Sequence, residues 1–206
     1  MTSLLVGKHW LELKNNLTLS KYKELDGFYA GINNINTGAG YLDFHNDNLI
    51  ILSSRGIIAH QIKNDKNKLS FEQIPNNVDN FINQDQFSKY KWFSLKDLHI
   101  FNNKIYISLT EEIKENCWNT SVIFSEMNYE KIIFKKIFST DKCNHSKENI
   151  DKRFNAHQSG GRIISIDNDH IVLSVGDYRN LSLAQNKKSI NGKNITVKGS
   201  TITKRP

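Results

Sequence analysis

Three stretches of the chain repeat one pattern: Tyr41-LDFHNDNLIIL-Ser53, Asp97-LHIFNNKIYI-Ser108 and Arg162-IISIDNDHIVL-Ser174. Each begins with an apolar run, passes through a short turn rich in Asn and Asp, and continues into a second apolar run that ends in Ser. Asn and Asp tolerate left-handed backbone conformations, and their side chains bond to nearby backbone in turns. The flanking Ile, Leu, Val, Tyr and Phe residues favour strands. Each stretch therefore predicts a β-hairpin.

Further strand-like segments follow the first two repeats. The segments Ile57–Ile62 and Leu69–Ile74 follow the first, and Ser121–Asn128 and Ile132–Ser139 follow the second. About four strands per unit predict an all-β fold, a β-propeller built from four-stranded antiparallel blades. A β-sandwich has similar strand spacing, but it does not explain why the same hairpin recurs.

The repeats divide the chain into four segments. Residues 1–40 form an N-terminal lead-in segment, and the partial propeller covers residues 41–206. Its units are expected at about residues 41–90, 91–150 and 151–206.

Composition narrows the classes of partner. The 206 residues carry a formal net charge of +7, which favours non-specific contact with polyanions. No aromatic–basic RNA-binding motif or zinc-finger spacing accompanies that charge, so we do not expect nucleic-acid binding. No apolar run approaches the roughly 18 residues of a membrane span.

Two cysteines, Cys117 and Cys143, flank the predicted strands Trp118–Asn128 and Lys131–Phe138. A hairpin brings its outer ends together, as a disulfide requires, although two free thiols remain an equal alternative. A disulfide would favour a periplasmic or other extracytoplasmic location. Residues 1–8 show no signal peptide, so the compartment is left open. The spacing of the cysteines and histidines predicts no metal site.

The most informative loop is Asn155-AHQSGG-Arg162, which leads into the third repeat. Its paired glycines allow a tight turn. In a propeller, the loops between blades gather around the central channel, where His157 could accept a proton near neutral pH. Arg162 could hold an anionic group through its planar guanidinium. A lone histidine in a loop is more often exposed or structural. The spacing of these residues therefore does not decide between a catalytic His157 and a structural one.

A longer motif extends from this loop. The stretch His157-QSGGRIISIDNDHIVLSVG-Asp177, followed by Ala184-Gln185 and Gly192-Lys193, resembles the glucose/sorbosone dehydrogenase family, the soluble quinoprotein aldose dehydrogenases. The clear part of the resemblance covers about a quarter of the chain, and a looser likeness extends back to about Tyr41. It implies a six-bladed propeller that holds pyrroloquinoline quinone on its axis, assisted by calcium.

The resemblance also implies roles for residues of the loop. His157 matches the general base that takes the proton of a sugar's anomeric hydroxyl while hydride passes to the quinone. Gln158 and Arg162 are expected to contact the cofactor, with Arg162 mainly supporting the loop. The partner would be a small-molecule sugar.

Two departures from the family pattern leave an alternative open. Ala156 stands where the family often has an acidic residue, and the family's carboxylate clamps and calcium ligands belong to later blades. The chain would hold about three of six blades, an N-terminal fragment with open edges that favour self-association. The alternative is a non-catalytic propeller fragment for binding or scaffolding.

Overall fold

Antiparallel strands form almost all of the regular structure in a computed structural model of the chain. The structure describes residues 9–13, 17–21, 40–63, 69–82, 95–139, 142–147, 154–198 and 201–203. Within the lead-in segment, β1 (His9–Leu13) and β2 (Leu17–Lys21) form a hairpin. The rest of that segment, up to residue 39, lies outside the described residues.

Three sheets follow, which we name blades 1, 2 and 3. Blade 1 contains β3 (Tyr41–His45), β4 (Asn48–Leu52), β5 (Ile58–Lys63) and β6 (Leu69–Ile74). Blade 2 contains β7 (Leu95–Phe101), β8 (Lys104–Lys114), β9 (Cys117–Glu126), β10 (Lys135–Phe138) and a short strand, β11 (Asn144–His145), that pairs with β9. Blade 3 contains β12 (Gly160–Ser165), β13 (His170–Val175), β14 (Lys193–Lys198) and β15 (Thr201–Thr203).

Each blade is an antiparallel meander in which the first four strands are neighbours in chain order. The all-β prediction and the repeated four-stranded unit are therefore confirmed. One short helix that the sequence analysis did not predict, α1 (Leu181–Gln185), connects β13 to β14. No helix among the described residues is long and apolar enough to cross a membrane.

The first two repeats turn through pairs of left-handed residues. Asn46 and Asp47 have φ of 48° and 61°, and Asn102 and Asn103 have φ of 47° and 59°. Two consecutive residues with positive φ define the tight hairpin turn whose twist matches that of the flanking strands. The backbone of these two turns therefore favours the Asn and Asp residues found there, as the sequence predicted. The third repeat instead uses a four-residue turn, 166–169, between its two strands.

Two apolar layers join the blades into one stack. Between blades 1 and 2, aliphatic side chains such as Ile50, Leu98 and Ile107 form the larger cluster. Between blades 2 and 3, Val122 and Leu173 belong to the second cluster. Removal of this apolar surface from water, worth about 25 cal/mol per Å², is the main force that holds one blade against the next.

Among the described strands, the first strand of each blade (β3, β7 or β12) is hydrogen-bonded to a neighbour on one side only. β7 contacts both β3 and β12, so the three open edges lie side by side. An open edge carries backbone N–H groups that need acceptors when they are removed from water.

Side chains of the preceding blade supply these acceptors. Asp43 Oδ2 accepts from the Ile100 N–H at 2.6 Å, which joins β3 to β7. Asp97 Oδ2 accepts from the Ile163 N–H at 2.8 Å, which joins β7 to β12. Burial opposes ionisation of Asp43, but hydrogen bonds from His99 and from backbone outweigh it, so the pKa of this carboxyl lies below its usual value.

His99 extends the same arrangement. Its Nε2 accepts from the Ser165 N–H at 3.1 Å and lies 2.8 Å from Ser165 Oγ, while its Nδ1 lies 3.5 Å from Asp43 Oδ2. An Nε2 atom that accepts from a backbone N–H carries no proton, which places the proton of a neutral ring on Nδ1, facing Asp43. The three residues link the first strands of all three blades.

A disulfide joins Cys117, at the start of β9, to Cys143, just before β11. The two Cα atoms are 5.3 Å apart, within the usual range for a disulfide. The pairing of β11 with β9 places Asn144 opposite Trp118 and brings the two cysteines together. The disulfide therefore secures the end of blade 2 that leads toward the loop before β12.

We expect Asp97→Ala to lower the free energy of unfolding by about 2 to 3 kcal/mol, because it leaves the Ile163 N–H without its acceptor at a buried position. Asp97→Asn keeps one acceptor oxygen and should recover part of that loss. Urea denaturation followed by circular dichroism measures both. Asp79→Ala, at an exposed position, is the control. Equal stabilities of the Asp97→Ala and Asp79→Ala proteins would contradict the role of Asp97.

We expect the double substitution Cys117→Ser/Cys143→Ser to cost about 3 kcal/mol of stability, because the disulfide closes a loop between residues separated by 26 positions. The measurement is the urea midpoint with and without dithiothreitol. Reductant should lower the midpoint of the wild-type protein and leave that of the double variant unchanged. A wild-type midpoint insensitive to full reduction would refute the expectation.

Candidate active site

His157 and Gln158 lie on a single helical turn, Ala156–Ser159, which leads directly into β12. Asn155 begins this turn: its side-chain oxygen accepts from the His157 N–H at 2.9 Å, and its carbonyl accepts from the Gln158 N–H at 3.1 Å. The turn buries Ala156 and Ser159 and exposes the two residues between them. The side chains of His157 and Gln158 therefore face solvent, while the buried ends of the turn hold its backbone in place.

Buried hydroxyl groups hold the turn from below. Thr110 Oγ1 donates to Ser159 Oγ at 2.9 Å, and Thr120 Oγ1 donates to the Ser159 carbonyl at 2.7 Å. The Tyr178 hydroxyl lies 2.9 Å from Thr120 Oγ1, and burial raises the pKa of this fully buried phenol. Because Thr110 and Thr120 belong to β8 and β9, the turn before blade 3 is fixed to the centre of blade 2.

Backbone hydrogen bonds hold the turn from the side. The Asn155 N–H donates to the Tyr178 carbonyl, and the Tyr178 N–H donates to the Gln158 carbonyl, both at 3.1 Å. The Gly176 N–H donates to the Ser159 carbonyl at 2.8 Å. The turn is therefore paired with the segment that leaves β13, which explains why the motif extends from His157 as far as Asp177.

Lys96 packs against the same loop, where Gly161 has no side chain. A Cβ atom at Gly161 would lie 2.3 Å from Lys96 Cβ, and the φ of 115° disfavours any other residue. Lys96 Nζ donates to the Ala156 carbonyl at 3.3 Å. The second glycine of the pair therefore allows a lysine of blade 2 to run beneath the loop.

Burial and charge change the pKa values of Lys96 and His157. Burial lowers the pKa of Lys96 to about 8, which leaves the amine mostly cationic at neutral pH. Partial burial, and to a smaller extent the Lys96 charge, lower the pKa of His157 below its usual value. The imidazole is therefore mainly neutral near pH 7 and can accept a proton.

Arg162 is tied to blade 2 by an ion pair. Its Nη1 donates to Asp97 Oδ1 at 2.8 Å, and the guanidinium side chain is 75% exposed. Burial raises the pKa of Asp97, although the Ile163 N–H and the Arg162 charge act in the opposite direction. Part of the cationic group is thus paired within the fold, while most of the side chain faces solvent. The ion pair joins the start of β12 to β7, and the role expected for Arg162 stays a prediction.

The three residues that the sequence singled out belong to one loop and the strand that follows it. The sequence analysis did not single out Lys96, a fourth residue of this region. A lysine among the apolar residues of Leu95–Phe101 was the available signal. No group of three or more His, Cys, Asp or Glu side chains able to hold a metal ion occurs among the described residues.

A cavity of about 550 Å³ lies elsewhere, beside the hairpin-turn ends of blades 2 and 3. Tyr106, Phe124 and Ile137 give it an apolar floor, and Lys104 and Asp169 belong to its charged rim. None of the loop residues at His157 lines this cavity. The loop is therefore a separate, open site.

No protein-family model matches the chain, and no curated protein matches it. Among solved structures, it is similar to a glucose dehydrogenase (TM-score 0.53, 14% identity), which it matches over 78% of its own length and 47% of that chain. It is also similar to the soluble aldose sugar dehydrogenase from Escherichia coli in the apo form (TM-score 0.53, 16% identity; 77% of this chain and 43% of that one).

At these identities the likeness is one of fold. The chain has the partial β-propeller architecture of the sugar dehydrogenases, in agreement with the resemblance seen in its sequence. It spans less than half the length of these structures.

Replacement of Lys96 by Met should raise the pKa of His157, because it removes the positive charge that opposes protonation of the ring. The imidazole signals in nuclear magnetic resonance spectra, followed from pH 5 to 8.5, report this pKa directly. Lys104→Met, at the other end of blade 2, is the matched control. A His157 pKa that is the same in all three proteins would contradict the coupling.

Proposed function

We propose that this chain forms part of a sugar dehydrogenase that oxidises an aldose at its anomeric hydroxyl, with His157 as the base. The observation that carries the proposal is the neutral, exposed imidazole on a loop fixed to two blades. The motif around His157 and the fold shared with glucose and aldose sugar dehydrogenases support it. General-base catalysis needs a base that is unprotonated at working pH and held in place, and His157 meets both needs.

In the proposed oxidation, the residues in and around the loop would have different roles. The neutral ring of His157 accepts the proton of the anomeric hydroxyl, so that the oxygen lone pair can form the carbonyl as the carbon loses hydride. Pyrroloquinoline quinone, when bound, supplies the two-electron acceptor for that hydride. Gln158, exposed beside His157, and the solvent-facing side of Arg162 would contact the cofactor. Partial burial, assisted by the Lys96 charge, keeps the resting base unprotonated.

The residues present fit one edge of an anionic quinone. Lys96 is a largely buried cation whose ammonium donates to the Ala156 carbonyl, and no carboxylate pairs with it among the described residues. A buried cation gains from an anionic neighbour, and pyrroloquinoline quinone carries carboxylates. Arg162, on β12, would add a second, exposed cation. These two side chains are the ones that would hold a cofactor carboxylate.

Calcium does not find a site among the same residues. The ion takes six to eight oxygen ligands, usually including carboxylates. The described part of the chain offers no such cluster, and the nearby Asp97 is already paired with Arg162. No step of the reaction is therefore assigned to calcium.

The disulfide bears on the compartment in which the protein acts. Cys117 and Cys143 are bonded to each other, and protein disulfides persist mainly in oxidising compartments. We therefore propose that the protein acts outside the reducing cytoplasm.

The Asp97–Arg162 ion pair favours a second candidate function. The pair engages the guanidinium of Arg162 within the fold itself, as expected of a structural contact, and leaves Lys96 as the other cation of this region. A non-catalytic propeller that binds or scaffolds another molecule would keep this pair and the loop's anchors without needing the base. The two candidates differ in whether the chain binds quinone and turns over a sugar.

The test follows quinone binding by absorbance, and dye reduction with a panel of neutral aldoses, in the full chain supplied with pyrroloquinoline quinone and calcium. We expect turnover, and a loss in kcat of at least about 100-fold in His157→Ala. His170→Ala, which removes a histidine paired with Asp167 in the blade 3 turn, should keep full activity.

The outcomes separate the two candidates. Neither quinone binding nor dye reduction with any sugar would refute the dehydrogenase and leave the non-catalytic propeller. Turnover that His157→Ala does not change would refute only the assignment of the base.

A further inference from the structure

The stack of blades has two outer faces, each with exposed apolar side chains. The leading face is the side of blade 1 turned away from blade 2, where Leu42 and Phe44 are 60% and 63% exposed. The trailing face is the side of blade 3 turned away from blade 2, where Ile164 and Ile166 are 55% and 43% exposed. Together they hold four of the six large apolar side chains that are exposed in the described part of the chain.

The leading face has the character of a surface that normally receives a blade. Alignment of the hairpin turns of β3 and β7 places Leu42 and Phe44 opposite Leu98 and Ile100 in the repeat. Leu98 and Ile100 are only 4% and 8% exposed, because blade 1 covers them. The same repeat positions are therefore buried in blade 2, where blade 1 packs on them, and exposed in blade 1, where the described residues place no other blade.

The trailing face lacks the polar acceptors that blades 1 and 2 present to the blade that follows them. Blade 2 buries Tyr106, Val122 and Phe138 beneath blade 3, on the side where Asp97 and His99 cap the next strand. In the sequence repeat, Ile164 of blade 3 takes the place of His99 in blade 2 and of Asp43 in blade 1. This face thus offers aliphatic surface where the other two blades offer polar acceptors. Such a face suits an apolar partner surface, and the leading face is one.

We propose that the trailing face of one chain docks on the leading face of a second copy, and the reverse, so that two copies close a ring. The two faces differ, so the contact is head to tail, and such a contact forms a closed assembly when its rotation returns to the start. The chain spans 43% to 47% of the similar solved structures, so two copies supply about as much chain as one of those propellers.

The test is the mass of the purified full chain by light scattering after size exclusion, over a range of concentrations. We expect twice the 23.8 kDa mass of one chain. Leu42→Lys/Phe44→Lys, on the leading face, and Ile164→Lys/Ile166→Lys, on the trailing face, should each give the mass of one chain. Ile133→Lys replaces an exposed isoleucine, 48% accessible, outside both faces and should keep the double mass.

Mixing the two double variants provides the sharper test. Each variant alone has one damaged face at both contacts of a dimer, whereas a mixed dimer has one contact made from two intact faces. An equal mixture should therefore recover the double mass in part, which a symmetric contact of identical faces would not allow. Circular dichroism and thermal unfolding check that each variant is folded.

Cross-linking keeps the proposal testable if a lysine variant fails to fold. Phe44→Cys and Ile164→Cys chains, mixed and treated with a short bismaleimide, should give a covalent dimer, whereas Ile133→Cys mixed with either should not. A single-chain mass at every concentration, a dimer that both double variants retain, or the absence of the cross-link would overturn the proposal. Larger open assemblies in place of a dimer would overturn ring closure.

Discussion

The hydrogen bonds between open strand edges are the constraint on which this fold depends. A propeller blade leaves its first strand without a partner on one side, and the N–H groups there lose water when blades pack. Asp43, Asp97 and His99 meet this need by accepting from the backbone of the next blade. Apolar packing between blades is not directional, whereas these bonds fix how far one blade slides along the next.

The same logic places the candidate site. Asp97 fixes the start of β12 through Ile163 and Arg162, and the hydroxyls of Thr110 and Thr120 hold the preceding turn through Ser159. His157 therefore takes its position from blade 2 although it belongs to the sequence of blade 3. As the proposed base, His157 would gain from such support, because a catalytic group has to be held within about half an ångström of its productive position.

The sequence predicted the elements that arise from local rules. Left-handed Asn and Asp pairs and apolar alternation identified the hairpins of the first two repeats, because turn chemistry and strand period are local properties. The loop at His157 was likewise recognisable from its motif. Gln158 was named from that motif alone, and Arg162 from both its guanidinium chemistry and the motif. Their contact with a cofactor stays a prediction.

Long-range contacts were not visible in the same way. Lys96 packs beneath Gly161, which is 65 positions later in the chain. Neither residue type indicates that the other lies next to it. The disulfide was one of two equal alternatives from the sequence, since the predicted hairpin did not include the separate strand β11 that aligns Cys143 with Cys117. Such features depend on how blades stack, which a single sequence does not encode as a local pattern.

The stacking of blades also sets how the molecule comes apart. Each blade touches only its neighbours, so its stability is close to a sum of its own free energy and nearest-neighbour terms, as in a one-dimensional array. Blade 2 has a neighbour on both sides and carries the disulfide, whereas blades 1 and 3 each have one such neighbour in the described part of the chain. Local opening should therefore begin at the two ends, and the backbone amides of β8 and β9 should exchange with solvent most slowly. The loop of His157 lies at the junction between this slow centre and a faster end, and its order depends on whether blade 3 stays docked.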